Sequence, residues 1–181
     1  MLTVACVLSE PPENKPRIYR QEHVERLHRQ AARNLSQPFW FECITDSTFP
    51  GWWAKIDLFK PGRVRGRVLY LDLDVSVIDD LDSIANYPAA FCAMRDPSGA
   101  GINSSVMAWN AGHADHLYTH FSPDVMKALP GDQHWIHKKL LSIEKLPNNW
   151  CVSYRFGVMR GMLHEDTKVI VYHGDPKPWT R

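Results

Sequence analysis

The chain has 181 residues and a formal net charge of +1 at pH 7, with 44% hydrophobic and 23% charged residues. This length predicts a single domain over residues 1–181, and the near-zero charge argues against the broad basic surface of a nucleic-acid-binding protein. No apolar run reaches the roughly 18 residues of a transmembrane helix. The apolar segment 1–8 has no basic stretch before it. We therefore interpret it as a first strand rather than a signal peptide, and we expect a cytoplasmic protein.

The four cysteines are widely separated along the chain, and no two form a Cys-x-x-Cys pair. Three of them lie in apolar, strand-like segments, where a buried free thiol is the usual state of a cysteine. We therefore expect neither a disulfide framework nor a zinc site from Cys6, Cys43, Cys92 and Cys151.

Hydrophobic periodicity predicts strands and helices that alternate along the chain. In the first half, the predicted strands are 3–8, 39–44 and 68–73, the predicted helices are about 19–35 and 52–59, and a loop is predicted over 9–16. In the second half, the predicted strands are 89–94, 105–109, 152–156 and 169–172, and the predicted helices are 112–121 and 132–143. Such alternation is typical of an α/β fold with a mainly parallel central sheet.

The most informative segment is an apolar strand that ends in two aspartates, Val68-Leu-Tyr-Leu-Asp-Leu-Asp-Val75. Because side chains alternate faces along a strand, we expect Asp72 and Asp74 to point the same way, about 7 Å apart. Two carboxylates at the end of a buried strand are costly unless something compensates them. A divalent cation with a preference for oxygen ligands would do so. The alternative is a solvated strand exit that continues into an acidic loop.

Four segments together resemble family 8 glycosyltransferases, in the same order along the chain. Residues 69–75 look like the metal-binding motif of that family, and Gly131-Asp-Gln133 resembles its Gly-Asp-Gln segment. Residues 101–107 are similar to its Asn-Ser-Gly-Val-Met segment, with Ser105 in place of the glycine. Residues 173–179 resemble its closing His…Lys-Pro-Trp motif, although two residues fewer separate the histidine from the lysine.

The resemblance implies a GT-A-type, Rossmann-like domain that transfers sugar from a nucleotide diphosphate sugar. It implies that Asp72, Asp74 and His173 bind a metal ion, and a histidine beside two carboxylates favours Mn²⁺ over Mg²⁺. His173 is otherwise interpreted as a residue that caps the end of the last strand. Lys177 would reach the donor's phosphates as a point charge, unless it is an ordinary solvated lysine.

The resemblance also implies a set of residues around the donor sugar. Lys55, Asp132 and Gln133 are the candidate catalytic residues, and the sugar-binding candidates add Asn103 and Ser104. For Lys55 the alternative is a solvated helix residue. For Asp132 the alternative is a helix N-cap, a position that favours aspartate.

The nucleoside is expected at the tip of the first strand, near Leu8. Tyr19 is a candidate for stacking on the base, unless it belongs to the core. Asp46 is a weaker candidate, and Trp52 and Trp53 are interpreted as core residues rather than as a platform for sugar.

The predicted activity is a metal-assisted, retaining transfer of a hexose from a UDP-sugar to an acceptor that is a glycan, a lipid-linked group or a protein. One alternative is a haloacid dehalogenase-like phosphohydrolase with Asp72 as nucleophile, because its motif is also a strand that ends in Asp-x-Asp. That class usually opens its domain with this strand, whereas two predicted strands precede it here. A second alternative is a nucleotide-sugar-binding protein with little or no catalytic activity.

Overall fold

The computed structural model describes residues 1–11, 16, 18–99 and 101–180, so residues 12–15 of the predicted loop lie outside the described residues. Within the described residues there are nine strands, which form two sheets. In chain order they are β1 (Leu2–Val7), β2 (Phe39–Ile44), β3 (Arg67–Leu71), β4 (Val75–Val77), β5 (Phe91–Arg95), β6 (Ile102–Asn110), β7 (Glu144–Lys145), β8 (Cys151–Ser153) and β9 (Val169–Val171).

The central sheet has six strands in the order β2-β1-β3-β6-β5-β7. Strand β1 pairs parallel with β2 and β3, and β5 pairs parallel with β7, whereas β6 runs antiparallel to both of its neighbours. Among the described strands of this sheet, β6 alone is reversed. The predicted α/β fold with a mainly parallel central sheet is therefore confirmed. The second sheet has three strands in the order β4-β9-β8.

Of the four predicted helices, the one over 52–59 has its full extent and the other three are shorter in the structure. The described residues form seven helices. They are α1 (Gln21–Asn34), a 3-10 helix (Gly51–Phe59), α2 (Asp82–Ala85), α3 (His116–Thr119), α4 (Pro123–Ala128), α5 (Asp132–Lys139) and a second 3-10 helix (Val158–Arg160). The helix predicted over 112–121 is wrong in extent, because Gly112 takes a positive φ of 87° in a turn and only α3 follows. The helix predicted over 132–143 ends at Lys139, because Leu140 is extended.

The core lies on both faces of the central sheet, as the alternation of side chains along β3 shows. Leu69 and Leu71 face one hydrophobic cluster, which α1 and the second sheet complete. Val68 and Tyr70 face a second cluster, which the first 3-10 helix, α3 and α5 complete. A sheet covered on both faces needs near-continuous apolar strands, which is the pattern that the sequence shows in β1 and β3.

Pairing at the end of β3 positions both aspartates. The strand predicted over 68–73 extends two residues too far, because β3 ends at Leu71 and both aspartates follow it. Asp72 still donates its backbone N–H to the carbonyl of Ser105 (2.9 Å), so it extends the ladder with β6 by one residue. Asp74 immediately precedes β4, and its carbonyl accepts from the N–H of Tyr172 (3.2 Å) after β9. The antiparallel pair β4–β9 thus brings the aspartates next to the C-terminal segment.

None of the described helices is both long enough and apolar enough to cross a membrane. All four cysteines are free thiols, and Cys6, Cys92 and Cys151 are buried.

Candidate active site

A cavity of about 610 Å³ opens at the carboxyl ends of β1 and β3. Open α/β sheets bind ligands at this edge, and the volume lies within the range usual for small-molecule sites. Six of the residues predicted for the site line it, namely Tyr19, Lys55, Asp72, Asp74, His173 and Lys177. They come from four separate segments of the chain, and the fold alone brings them together.

Lys55 lies at the centre of one polar cluster, at the wall of the cavity. Its ammonium contacts both carboxylate oxygens of Asp72, at 2.9 and 3.2 Å. It also donates to the hydroxyl of Ser104 (3.1 Å) and lies 3.6 Å from Oδ2 of Asp132. Lys55 is only 8% exposed, so the alternative that it is a solvated helix residue is wrong. A buried ammonium requires charged partners, and here two carboxylates provide them.

These contacts shift the pKa values of the cluster in opposite directions. Burial by itself lowers the pKa of Lys55, but Asp132 and Asp72 outweigh burial, so the pKa is raised and the ammonium stays charged. Burial by itself raises the pKa of Asp72, but Lys55 and the hydrogen bonds from Tyr70 and Ser105 outweigh it and lower that pKa. The hydroxyl of Tyr70 donates to Asp72 over 2.5 Å. The cluster is therefore a fixed ion pair at neutral pH.

Asp132 is not a helix N-cap. Helix α5 begins at Asp132 itself, its N-cap is Gly131, and no side-chain capping hydrogen bond is present. The structural alternative for Asp132 is therefore wrong. The side chain is buried, and its Oδ2 has no hydrogen-bond partner among the described residues, although the ammonium of Lys55 lies nearby. A buried carboxylate oxygen without a hydrogen-bond donor is costly even beside an ammonium, and such a group is a candidate to bind a ligand.

Lys177 forms the second polar cluster with Asp74. Its ammonium lies 2.5 Å from Oδ2 of Asp74, 3.2 Å from the hydroxyl of Tyr19 and 3.5 Å from the carbonyl of Tyr172. The hydroxyl of Tyr19 also donates to Asp74 (2.8 Å). Burial and the charge of Asp74 raise the pKa of Tyr19, which keeps the phenol protonated. Lys177 is buried, so the alternative of a solvated lysine is wrong.

The C-terminal segment that carries Lys177 is held against α1 by aromatic packing. Trp179 stacks on His23 with ring centroids 3.7 Å apart and planes 15° apart. Trp179 also meets the ring of Tyr19 edge-on, and the guanidinium of Arg26 lies 5.3 Å from its ring. Aromatic and cation–π contacts of this kind each stabilise by about 1 kcal/mol. They hold the C-terminal segment in place, with Lys177 beside Asp74 and Tyr19.

His173 lines the cavity with the two aspartates, but the three side chains are not gathered as a set of metal ligands. Nowhere in the described parts of the chain do three His, Cys, Asp or Glu side chains lie in position to hold a metal ion. The imidazole Nε2 of His173 is nevertheless buried without a hydrogen-bond partner among these residues. Burial lowers the pKa of His173, against the opposing charges of Asp74 and Asp72. A neutral imidazole nitrogen without a hydrogen-bond partner and two carboxylates are ligand types that a borderline divalent cation such as Mn²⁺ prefers. The chemistry of the three side chains therefore fits a metal ion, although their present arrangement does not.

The remaining predicted residues lie behind the cavity or beside it. The amide of Asn103 donates to Oε1 of Gln133 (3.2 Å), which joins β6 to α5. Ser104 is buried under Lys55, and Leu8 packs against the core while its neighbours Val7 and Ser9 line the cavity. Among the described lining residues none of Asn103, Ser104, Asp132, Gln133 or Leu8 is present. Asp46 pairs with Arg63 at an exposed position instead.

Three lining residues were missed or misread from the sequence. Tyr70 shares the face of Asp72 because the two residues are two apart, a signal that the alternation of a strand contains. Ser105 stands where the family has a glycine, and it contributes a hydrogen bond to Asp72. The interpretation of Trp52 as a core residue is wrong, since it is 57% exposed and lines the cavity, whereas that of Trp53, 6% exposed, is confirmed.

The sequence matches no family model, and no curated protein matches it. Solved structures do match. The glycosyltransferase GlyE of Streptococcus pneumoniae TIGR4 has a TM-score of 0.72 and 16% identity over 99% of this chain and 56% of that chain. The chain thus spans little more than half the length of GlyE. This protein has a GT-A glycosyltransferase fold. That conclusion concerns the fold, since identity is low throughout.

Two further structures match over most of their own length. The galactosyltransferase LgtC, solved in complex with donor and acceptor sugar analogs, has a TM-score of 0.58 and 14% identity over 99% of this chain and 90% of that chain. A glycosyltransferase involved in glycosylation of the major capsid of PBCV-1 has a TM-score of 0.59 and 13% identity over 97% of this chain and 94% of that chain. The phosphohydrolase alternative is disfavoured, because β1 and β2 precede the aspartate strand and belong to the same sheet.

Proposed function

We propose that this protein is a retaining glycosyltransferase that moves a hexose from a UDP-sugar to an acceptor. The observation that carries the proposal is the cavity at the ends of β1 and β3, in which two buried lysine–aspartate pairs face a volume suited to a small molecule. The GT-A fold supports it, because its solved examples include an enzyme with donor and acceptor sugar analogs bound. A cytoplasmic location and the nature of the acceptor (a glycan, a lipid-linked group or a protein) belong to the proposal as well.

Lys177 is the group proposed to face the diphosphate. Departure of the nucleotide from the sugar leaves additional negative charge on the diphosphate oxygens, and a preplaced cation in a site of low dielectric stabilises that charge as it develops. Lys177 is held in place by Asp74 and Tyr19 and by the packing of Trp179. Little reorganisation is then needed when the donor binds, which is the condition for efficient electrostatic stabilisation.

Lys55 and Asp132 are proposed to act on the sugar side. An oxocarbenium-like transition state gains positive charge at the anomeric carbon, and a carboxylate nearby stabilises it or attacks it. Asp132 has a carboxylate oxygen without a hydrogen-bond donor for this role, and the ammonium of Lys55 lies 3.6 Å from that oxygen and helps to hold it in place. Asn103 and Gln133 already hydrogen-bond to each other beside this pair. We expect their remaining polar atoms to orient sugar hydroxyls.

Asp72, Asp74 and His173 are the residues proposed to hold a divalent metal ion, Mn²⁺ or Mg²⁺. The unpartnered Nε2 of His173 and the two carboxylates on the same cavity fit such an ion chemically. A bound metal ion would supply Lewis-acid stabilisation of the diphosphate. In this structure each aspartate is paired with a lysine, so binding of the ion has to compete with the ammonium groups.

A thermal-shift panel tests the proposal at the level of binding. UDP-glucose, UDP-galactose, UDP and uridine are added to the protein with Mn²⁺ or with EDTA, and a ligand that binds the native state raises the melting temperature. We expect UDP and at least one UDP-sugar to raise it, more strongly with Mn²⁺, and uridine to have little effect. No shift with any nucleotide would contradict the proposal. Equal shifts with Mn²⁺ and EDTA would contradict the metal site only.

A parallel assay with p-nitrophenyl phosphate separates the proposal from the phosphohydrolase alternative. We expect no turnover of this phosphate monoester above the background of the Asp72→Asn variant. Hydrolysis that disappears in Asp72→Asn would favour the phosphohydrolase. If nucleotide diphosphates bind and no UDP-sugar is ever consumed, the protein is instead a nucleotide-sugar-binding protein.

A further inference from the structure

Trp52 shares one face of the first 3-10 helix with Lys55. The helix spans Gly51–Phe59, and with three residues per turn the side chains at i and i+3 eclipse. Trp52 and Lys55 therefore project on the same side, and both line the cavity. The adjacent Trp53 projects into the core instead, against Phe121. The same turn of the helix thus buries Trp53 in the core and leaves Trp52 exposed at the cavity.

The indole of Trp52 lies against the N-terminus of α5. A Cβ on Gly131 would lie 3.4 Å from the indole nitrogen, so the indole lies close to the residue that precedes α5. Gly131 is extended, with φ of 179°, a conformation open to any residue. Its backbone therefore does not require glycine. A side chain at this position would meet the indole at ordinary van der Waals distance.

The exposure of the indole distinguishes it from the polar groups around it. Lys55 and Asp132 are 8% and 5% exposed, whereas Trp52 is 57% exposed. Large exposed aromatic groups at the mouth of a cavity are typical of binding sites. The flat apolar face suits the C–H face of a pyranose ring, whose hydroxyl groups can remain hydrogen-bonded to water or to neighbouring polar side chains.

We propose that Trp52 is the platform on which the sugar ring of a glycoside acceptor stacks. The inference rests on the proposed function and names the acceptor class, a glycan or glycoside rather than a bare protein side chain. The donor's sugar is assigned to the buried polar groups, whose charges and hydrogen bonds match its hydroxyls. The indole keeps more than half of its surface available for a group that enters from solvent after the donor.

The test compares Trp52→Ala and Trp52→Phe with wild type, using the UDP-sugar that wild type consumes and a panel of octyl glycosides of glucose, galactose and xylose. We expect Trp52→Ala to raise the apparent KM for the glycoside about tenfold, the effect of losing one aromatic contact. Trp52→Phe should raise it less than threefold. The Kd of UDP should change by less than twofold in both variants. Trp40→Ala is the matched control, because Trp40 is 69% exposed on the edge strand β2 and lines no part of this cavity.

Three results would overturn the inference. One is an unchanged KM for the glycoside in Trp52→Ala. Another is that Trp52→Ala raises the KM of the UDP-sugar instead of the KM of the glycoside, which would mean that the sugar ring of the donor stacks on the indole. The third is that no glycoside binds wild type in saturation-transfer NMR, or that only a serine peptide is glycosylated. If wild type consumes no UDP-sugar, the proposed function itself fails, and that outcome is distinct from the other three.

Discussion

Replacement of Lys55 by methionine tests the central electrostatic cluster. The ammonium compensates Asp72 at 2.9 Å and Asp132 at 3.6 Å, and all three side chains are largely buried. Methionine keeps most of the volume and removes the charge. Removal of one partner of a buried ion pair costs about 3–5 kcal/mol, because it leaves an uncompensated charge. We expect the free energy of unfolding to fall by that amount at pH 7.

The pH dependence of this loss follows from the carboxylate of Asp72. In wild type its folded pKa is lowered, so its ionisation stabilises the fold above the unfolded value of about 3.9, and this stability is lost as pH falls through the folded pKa. Without Lys55, only the hydrogen bonds from Tyr70 and Ser105 oppose burial, and we expect burial to raise the folded pKa above the unfolded one. In the variant, the ionised carboxylate of Asp72 then destabilises the fold at pH 7, and this destabilisation disappears as Asp72 is protonated at lower pH. The difference between variant and wild type should therefore shrink on going from pH 7 to about pH 4.

Urea unfolding at both pH values measures the effect, with Asp46→Asn as control. Asp46 pairs with Arg63 at an exposed position, and exposed pairs contribute little. This variant should therefore lose far less stability than Lys55→Met. A double variant, Lys55→Met with Asp132→Asn, should lose less than the sum of the two single variants, because the two charges contact each other. A loss below about 1 kcal/mol in Lys55→Met, or one independent of pH, would refute the account of this cluster.

Three further predictions concern the chemistry. Asp132→Asn should lower donor turnover by roughly two to three orders of magnitude, with a smaller loss of stability than Lys55→Met because Lys55 keeps Asp72 as a charged partner; wild-type turnover would remove Asp132 from the catalytic residues. Lys177→Ala should weaken UDP binding at least tenfold in calorimetry while changing uridine binding less than threefold, since only UDP carries phosphate charge; equal losses would show another role for Lys177. Lys177→Met should bind Mn²⁺ more tightly than wild type in the absence of donor, because Asp74 is released; weaker binding would contradict the competition.

The sequence was sufficient to predict the strands that form the floor of the site. The apolar runs around β1, β2, β3 and β9 predict those strands to within two residues at either end. The resemblance places Asp72, Lys55 and Lys177 at one site, and the structure brings them to one cavity. The strands follow from local hydrophobic pattern and the shared site from the order of the motifs, and both can be read from the sequence alone.

The pairing of Lys177 with Asp74 could not be predicted from the sequence. Two buried carboxylates suggested a metal ion as the compensating charge, and the structure shows lysines in contact with both. Lys177 lies 103 residues from Asp74, and only the β4–β9 pairing and the packing of Trp179 bring them together. The position of Trp52 was misread because a 3-10 period places i and i+3 on one face, whereas composition alone makes tryptophan look like a core residue.

The measurement that tests the account most directly is release of UDP from a panel of UDP-sugars by wild type, followed with and without added glycoside acceptors. The account predicts slow release with water as acceptor, faster release with a suitable glycoside, and one glycosidic product formed per UDP, with the anomeric configuration of the donor retained. Tight binding of UDP with no release from any UDP-sugar would contradict it and would show that the cavity binds the nucleotide without transferring the sugar.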